Sequence, residues 1–432
     1  MIFGTHDQNT LDQFAAIQAQ TRASALMADG HFGYIMPVGG VAAYVNQVSV
    51  PGVGYDIACG NCAIKTDIKL SNITDATLDN PYAIATNPEL TKIANEIQKK
   101  ISFGIGRTNE ADDAPVDDPL FYDPAWNIIP NVGEYRNDLR DKARKQLGTV
   151  GSGNHYVDVF VDRADMSIWV GVHFGSRGLG HTIASNFLAL GQGLTWGDRA
   201  KEVEVLLDLS TSLGADYWAL MEMAGRYAYA GREWVTRKVV REVLGGLEID
   251  MVHNHHNFAW KEQHMVGTYT RQELVVVRKG ATPAFPNQRG FVGGSMGDDA
   301  VILEGTHHKT VVKSDVMNTQ ELALFSTVHG AGRVMSRTEA AGKRDRKTGQ
   351  LKKDKVTGEI LKAPRVTRDM QRAWLDKEGV ILRGGGVDES PHVYRRLTDV
   401  LAAQGDTITV LHTLKPIIVV MAGEDNYDPY KD

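Results

Sequence analysis

At 432 residues the chain exceeds the usual size of one hydrophobic core, so one large elaborated domain and two domains both stand open. Its 42% apolar and 23% charged content is ordinary for a globular protein, and a net charge of −6 argues against a basic coat for indiscriminate nucleic-acid binding. No apolar run approaches the roughly 20 residues of a membrane-spanning helix, no secretory pattern opens the chain, and two cysteines alone, Cys59 and Cys62, suit a reduced cytoplasmic setting in which thiols act as ligands.

Taken in order, residues 9 to 27 predict a helix capped by Asn9 or Thr10. From Gly33 to Asp67 the pattern turns to short β-like runs broken by Gly and Pro. A helix over Glu89 to Lys100 follows, then a loop rich in Asp and Pro from about residue 109 to 125. Residues 197 to 245 predict the longest helical block. Strands are expected at Ile168–His173, Glu273–Arg278, Ala300–Glu304 and Thr407–Val420. The mixture points to an α+β fold with β-sheets flanked by helices and chemistry carried in loops at strand ends. Residues 343 to 365 hold nine Lys or Arg against three Asp or Glu and read as a hairpin-like basic insertion, either a solvated surface excursion or an arm touching RNA phosphates.

Five segments carry chemistry-bearing residues. In GVGYDIACGNC (52 to 62), Asp56 and Cys59 offer a hard and a soft ligand three apart; a buried apolar Cys pair and a redox dithiol are the other readings. GTVGSGNHYVD (148 to 158) presents Asn154 and His155 after a glycine-serine turn. GVHFGSRGLGH (171 to 181) places His173 at a strand end and Arg177 in a Gly-flanked loop suited to phosphate. MVHNHHNFAW (251 to 260) packs three histidines into four positions. In STVHGAGRVMSR (326 to 337), His329 opens a glycine turn, and the four-residue spacing of Arg333 and Arg337 predicts guanidiniums on one helical face. That histidine could be a metal ligand, a general acid or a nucleophile on phosphorus; spacing alone says only phosphate chemistry with metal.

These segments, with RKGAT (278 to 282), KEQH (261 to 264) and GSMG (294 to 297), closely resemble the RtcB family of RNA-splicing ligases, in the same order from about residue 27 to 423. The resemblance implies a single large RtcB-like domain with a central metal-binding cleft. It implies two Mn²⁺ ions held by Asp56, Cys59, His155, His173 and His256, with Cys59 bridging and His253 and His255 outside the set. It makes His329 the nucleophile on the α-phosphate of GTP. Asn154, Arg177, Lys279, Arg333 and Arg337 match phosphate-holding positions, Gly330, Ala331 and Gly332 form the adjoining turn, and Tyr394 and Ser295 match positions near the nucleobase. The implied activity is the joining of an RNA 3′-phosphate or 2′,3′-cyclic phosphate to a 5′-hydroxyl through an RNA-ppG intermediate, in RNA splicing or repair. An activating protein partner is left open.

Departures from the family pattern cluster at the nucleobase end. Asp158 stands where Glu is usual, Ala300 where serine is common, and Gly293 where proline precedes GSMG. Met421 falls at about the position of a nucleotide-binding lysine and cannot donate; the chain continues over residues 424 to 432, where Lys431 is a candidate substitute. A second reading, a metal-dependent phosphoesterase or nucleotidyl hydrolase with altered base specificity, rests on these departures. A noncatalytic RNA-binding role does not call for a thiolate among four metal-type ligands.

Overall fold

Asp7, rather than Asn9 or Thr10, starts the first helix: its carboxylate accepts the Thr10 N–H at 2.9 Å, and α1 runs only over Gln8–Gln18. The expected continuation is instead a strand, β1 (Ala23–His31), antiparallel to β2 (Val38–Tyr44). Residues 24 to 30 are buried throughout, so the segment lacks the alternation of a half-buried strand, and periodicity cannot tell such a run from a helix. The computed structural model describes residues 1–266, 270–306, 319–345 and 350–423.

Helix α2 (Pro88–Lys100) begins with proline and is capped by the Asn87 side chain, which accepts the Glu89 and Leu90 N–H groups. After α3 (Arg177–Leu190), the long helix α4 spans Ser212–Lys238, with Thr211 capping the Gly214 N–H. The expected helical block from residue 197 starts later because Leu206–Asp208 is drawn into a ladder with Gln47–Ser49.

Two larger sheets frame the site. One orders β1, β2, β8 (Arg271–Lys279) and β7 (Asn257–Met265). The other runs β9 (Arg289–Val292), β10 (Ala300–Gly305), β11 (Ile408–Met421), β4 (Tyr156–Asp162), β5 (Ser167–Phe174), β3 (Gly60–Lys69) and β6 (Glu248–His255), with Ile381–Arg383 parallel to β11. The two-residue period of the pleat separates two jobs. Val157, Val159 and Val161, with Val170, Val172, Cys62 and Ile64, pack on one face against Val235 and Val239. The intervening positions Asn61, Tyr156, Asp158 and His173 lie on the other face. This is an α+β architecture with helices against sheets, and no helix among the described residues is long and apolar enough to cross a membrane.

Candidate active site

Strand register brings the ligand-bearing loops together. Asn61 and Tyr156 each pair with His173, and Gly60 pairs with both Phe174 and His255, so the starts of β3 and β4 share an edge with the ends of β5 and β6. Asp56 and Cys59 precede β3, His155 precedes β4, His173 lies near the end of β5, and His256 follows β6. One donor atom each from Cys59, His173 and His256 lie within 4.8 Å of one another, as do those of Asp56, Cys59 and His155. Cys59 belongs to both groups.

The rings are aimed from behind. His173 Nδ1 donates to Asn61 Oδ1 at 2.7 Å and His155 Nδ1 to the Val150 carbonyl at 2.9 Å, leaving each Nε2 3.7 Å from Cys59 Sγ. His256 stacks on His173 with centroids 5.1 Å apart, and its buried Nδ1 has no partner among the described residues. Asp56 depends on Gly175, where an added Cβ would stand 2.2 Å from Oδ1 and displace the carboxylate. Behind the cluster, the fully buried Arg232 donates to the Ala58 and Phe174 carbonyls and to His253 and His255. Those two histidines therefore face away from the ligand set, and Cys62 packs in the core on the opposite face.

The electrostatics suit cations. Burial pushes the Cys59 thiol well above its usual range, with Asp56 adding to the effect, so a thiolate requires positive charge beside it. Burial alone would raise Asp56, but the hydrogen bond and charge of His155, with Arg177, hold it below its ordinary value. Burial, then neighbouring positive charge, keeps His173 and His256 neutral. An ionised carboxylate, a buried thiol and imidazole lone pairs, one without a partner among the described residues, fit borderline divalent metal.

His329 follows the strand Ser326–Val328, which pairs with Ala281–Pro283. Its Nδ1 lies 2.6 Å from Asp29 Oδ2, and the same oxygen accepts the backbone N–H groups of His329 and Gly330 at 3.0 and 3.2 Å. The ring stands 5.0 Å from His256. The carboxylate thus lies against Nδ1 at ion-pair distance, while Nδ1 itself makes no hydrogen bond among the described residues.

The predicted helical face for Arg333 and Arg337 is not formed. Arg333 sits in an extended turn bridged to Tyr394, and the helix begins only at Arg337, capped by Ser336. The two guanidiniums converge all the same: Arg333 Nη1 lies 3.2 Å from Glu389, and Arg337 pairs with Glu389 and with Asp388 at 3.1 Å. Tyr394 donates to Glu389 and presents its ring 5.1 Å from the Arg333 guanidinium. Buried acids thus hold both arginines in place.

One cleft of about 300 Å³ collects these groups with Asn154, Asp158, Lys279, Ser295, Gly330, Ala331 and Gly332. Arg177 is not in its lining; its guanidinium lies behind His155, 3.4 Å from Nδ1. Lys279 Nζ donates to the Tyr34 and Pro51 carbonyls, and burial pushes its ammonium down to about 8. Ser295 donates to Asp298 at 2.9 Å. Of the sequence departures, Gly293 and Met421 line the cleft, whereas Ala300 packs among Phe160, Trp169 and Phe291 outside its lining. Asp158 Oδ1 and the Tyr156 hydroxyl are buried without a partner among the described residues. Residues 424–432, with Lys431, and 346–349 of the basic segment lie outside the described residues; the rest of that segment carries bridges Arg344–Leu351 and Lys353–Ile360.

Sequence reasoning missed Asp29, Asn61, Asp388 and Glu389. Asp29 left one trace, a lone acid directly after the apolar run Leu26 to Ala28, and Glu389 another, in the acidic pair just before Pro391 and Tyr394.

A family model described as tRNA-splicing ligase RtcB matches residues 10–422. The tRNA-splicing ligase RtcB of Archaeoglobus fulgidus is 29% identical, over 88% of this chain and 83% of the relative. The RNA-splicing ligase RtcB of Escherichia coli K12 is 27% identical, over 92% and 89%. The tRNA-splicing ligase RtcB of Thermococcus kodakarensis is 26% identical, over 88% and 83%.

Proposed function

This chain belongs to the RtcB family, and from that premise we propose that it is an RNA ligase joining an RNA 3′-phosphate end to a 5′-hydroxyl end, with GTP as cosubstrate and His329 as the residue that carries GMP. The observation supporting this most directly is that His329 lies outside both donor groups yet lines the same cleft, its ring 5.0 Å from His256 and its Nδ1 2.6 Å from the Asp29 carboxylate. With the proton of the neutral imidazole on Nδ1, beside Asp29, Nε2 attacks the α-phosphorus; the N–P bond forms as the bond to pyrophosphate breaks, and Asp29 balances the charge that develops on the imidazole. An oxygen of the RNA 3′-phosphate then displaces His329 from phosphorus to give RNA-ppG. Attack of the 5′-hydroxyl on the 3′-phosphate closes the phosphodiester and releases GMP. A 2′,3′-cyclic phosphate end is first opened by water.

Two Mn²⁺ ions, held by Cys59, His173 and His256 and by Asp56, Cys59 and His155, would supply charge neutralisation for the reacting phosphates. Asn154, beside His173 Nε2 at 3.4 Å, is placed to position a phosphate or hydroxyl oxygen. Arg333 and Arg337 offer guanidiniums preorganised by Glu389, so binding costs little side-chain entropy. Asp158, Ser295 and Tyr394 border the nucleobase end, where Met421 supplies contact without a hydrogen bond. Free, buried Cys59 and Cys62 accord with a reducing, cytoplasmic setting.

The test is incubation with Mn²⁺ and α-labelled GTP, followed by mapping of any acid-labile adduct. Label on His329, absent in His329→Ala, is expected. Protein that stays unlabelled, or label on another residue, refutes the proposal.

A further inference from the structure

Of the steps just described, two have nucleophiles that must lose a proton: the 5′-hydroxyl during sealing and water during opening of a cyclic phosphate. His329 begins without a proton on Nε2, and the RNA phosphate oxygen is already anionic. A base in the cleft is therefore needed late, beyond the nucleotidyl-transfer machinery.

Most ionisable groups in the cleft are committed. Five form the metal-type cluster, and Arg333, Arg337, Glu389 and Tyr394 are tied to one another. Lys279 is turned onto two carbonyls, and Asp158 and Tyr156 close the far end with buried atoms. His31 remains. It ends β1, two residues after Asp29, and lines the same cleft as His329. Its Nδ1 lies 3.0 Å from the Asp29 carbonyl, an acceptor only, so the proton sits on Nδ1 and the lone pair on Nε2. No hydrogen bond occupies Nε2 among the described residues.

We propose that His31 Nε2 is the general base that takes the proton of the 5′-hydroxyl as it attacks the activated RNA 3′-phosphate. The O–P bond forms, the bond to GMP breaks, and the proton moves from the hydroxyl to His31; GMP leaves as its phosphate anion. Residues 29 and 31 thereby serve successive steps, the first holding the nucleophilic histidine and the second accepting the proton at closure. The proposal rests on the ligase reading above.

The surroundings fit a neutral imidazole. Burial, offset in part by the hydrogen bond to the Asp29 carbonyl and by the Asp29 charge and reinforced by nearby Arg333, brings His31 down to about 4. Arg395 approaches from the other side, donating to the Ala28 and Gly30 carbonyls. Phosphates bound in the cleft would raise this value toward the working range, because nearby anions favour the imidazolium.

The experiment bypasses the first two steps by supplying preformed RNA-ppG and a 5′-hydroxyl RNA to the full chain with Mn²⁺, while guanylylation is measured separately with labelled GTP. In His31→Ala, sealing should fall about 10²–10⁴-fold, the usual range for a lost general base, and far more than guanylylation does. Its acid limb, where the wild-type rate drops as His31 protonates, should vanish, and added imidazole should restore part of the rate. His31→Gln, which can keep the hydrogen bond to the Asp29 carbonyl, should remain as slow as His31→Ala without imidazole. Equal losses in both steps, rescue by glutamine, or sealing within a few-fold of wild type each overturn the assignment. If the wild-type protein neither labels with GTP nor seals RNA-ppG, the ligase reading itself fails, which separates the two outcomes.

Discussion

Replacing Asp29 by asparagine probes the contact on which the reading of His329 depends. In the wild-type protein one oxygen, Oδ2, serves two backbone N–H groups and approaches His329 Nδ1, while Oδ1 is buried without a partner among the described residues. An asparagine must choose. With its oxygen in the Oδ2 place it keeps three contacts but sets an amide NH₂ in the buried Oδ1 position, at about 1–3 kcal/mol for an unmet donor, and it loses the negative charge. With its nitrogen there, the amide NH₂ meets the two backbone N–H donors, and the negative charge beside Nδ1 is lost. Either arrangement should destabilise the fold by about 1–3 kcal/mol and slow guanylylation by about 10²–10⁴-fold, the range seen when a base loses its orienting carboxylate. Single-turnover labelling with GTP and equilibrium unfolding in urea measure the two effects. Labelling within a few-fold of wild type would refute the orienting role of Asp29, whatever the stability change.

Other outcomes follow from the same geometry. In Gly293→Ala the new Cβ would stand 2.4 Å from the Tyr156 hydroxyl, whereas the nearest ring carbon lies at 3.4 Å. Nucleotide affinity should drop at least about tenfold and return in the Tyr156→Phe/Gly293→Ala double variant, by a double-mutant cycle; strict additivity would sink this account. For Lys279, burial penalises the ammonium, partly offset by Glu204 and Glu202, so its folded value near 8 lies below the ordinary 10.5. Stability from this group should rise with pH between those values, as the unfolded chain then binds more protons, while phosphate affinity falls through about pH 8. Lys279→Arg should flatten the affinity profile measured by calorimetry. Finally, Cys59→Ala should abolish binding of both Mn²⁺ ions in equilibrium dialysis, because Cys59 belongs to both donor groups, whereas His256→Ala should remove about one.

The sequence showed the loop clusters because their chemistry is local. Asp56 with Cys59, and Asn154 with His155, sit together in the chain and reach the cleft together. What supports them was not legible, because it comes from distant segments. Asp29 meets His329 across 300 residues, and Glu389 meets Arg337 across 52, and neither partnership leaves a periodic signal. The spacing of Arg333 and Arg337 suggested a helix, yet their convergence comes from a shared carboxylate. Strand β1 was misread for a related reason: burial on both faces erased the alternation that would have marked it. The departures at the nucleobase end were visible one by one, but the fit of Gly293 to Tyr156 appears only when both are placed in space.

The position of β11 has a consequence for how activity arises in the cell. This strand follows all the other sheet strands in chain order, yet it lies inside the sheet, hydrogen-bonded to β10 on one side and β4 on the other. A nascent chain can fold α4 and the β1–β2 ladder early, but the sheet edge bearing His155 and Tyr156 stays unpaired until β11 leaves the ribosome. Unfinished or prematurely terminated chains would thus lack a closed cleft, so partial translation products should be unable to act on RNA ends.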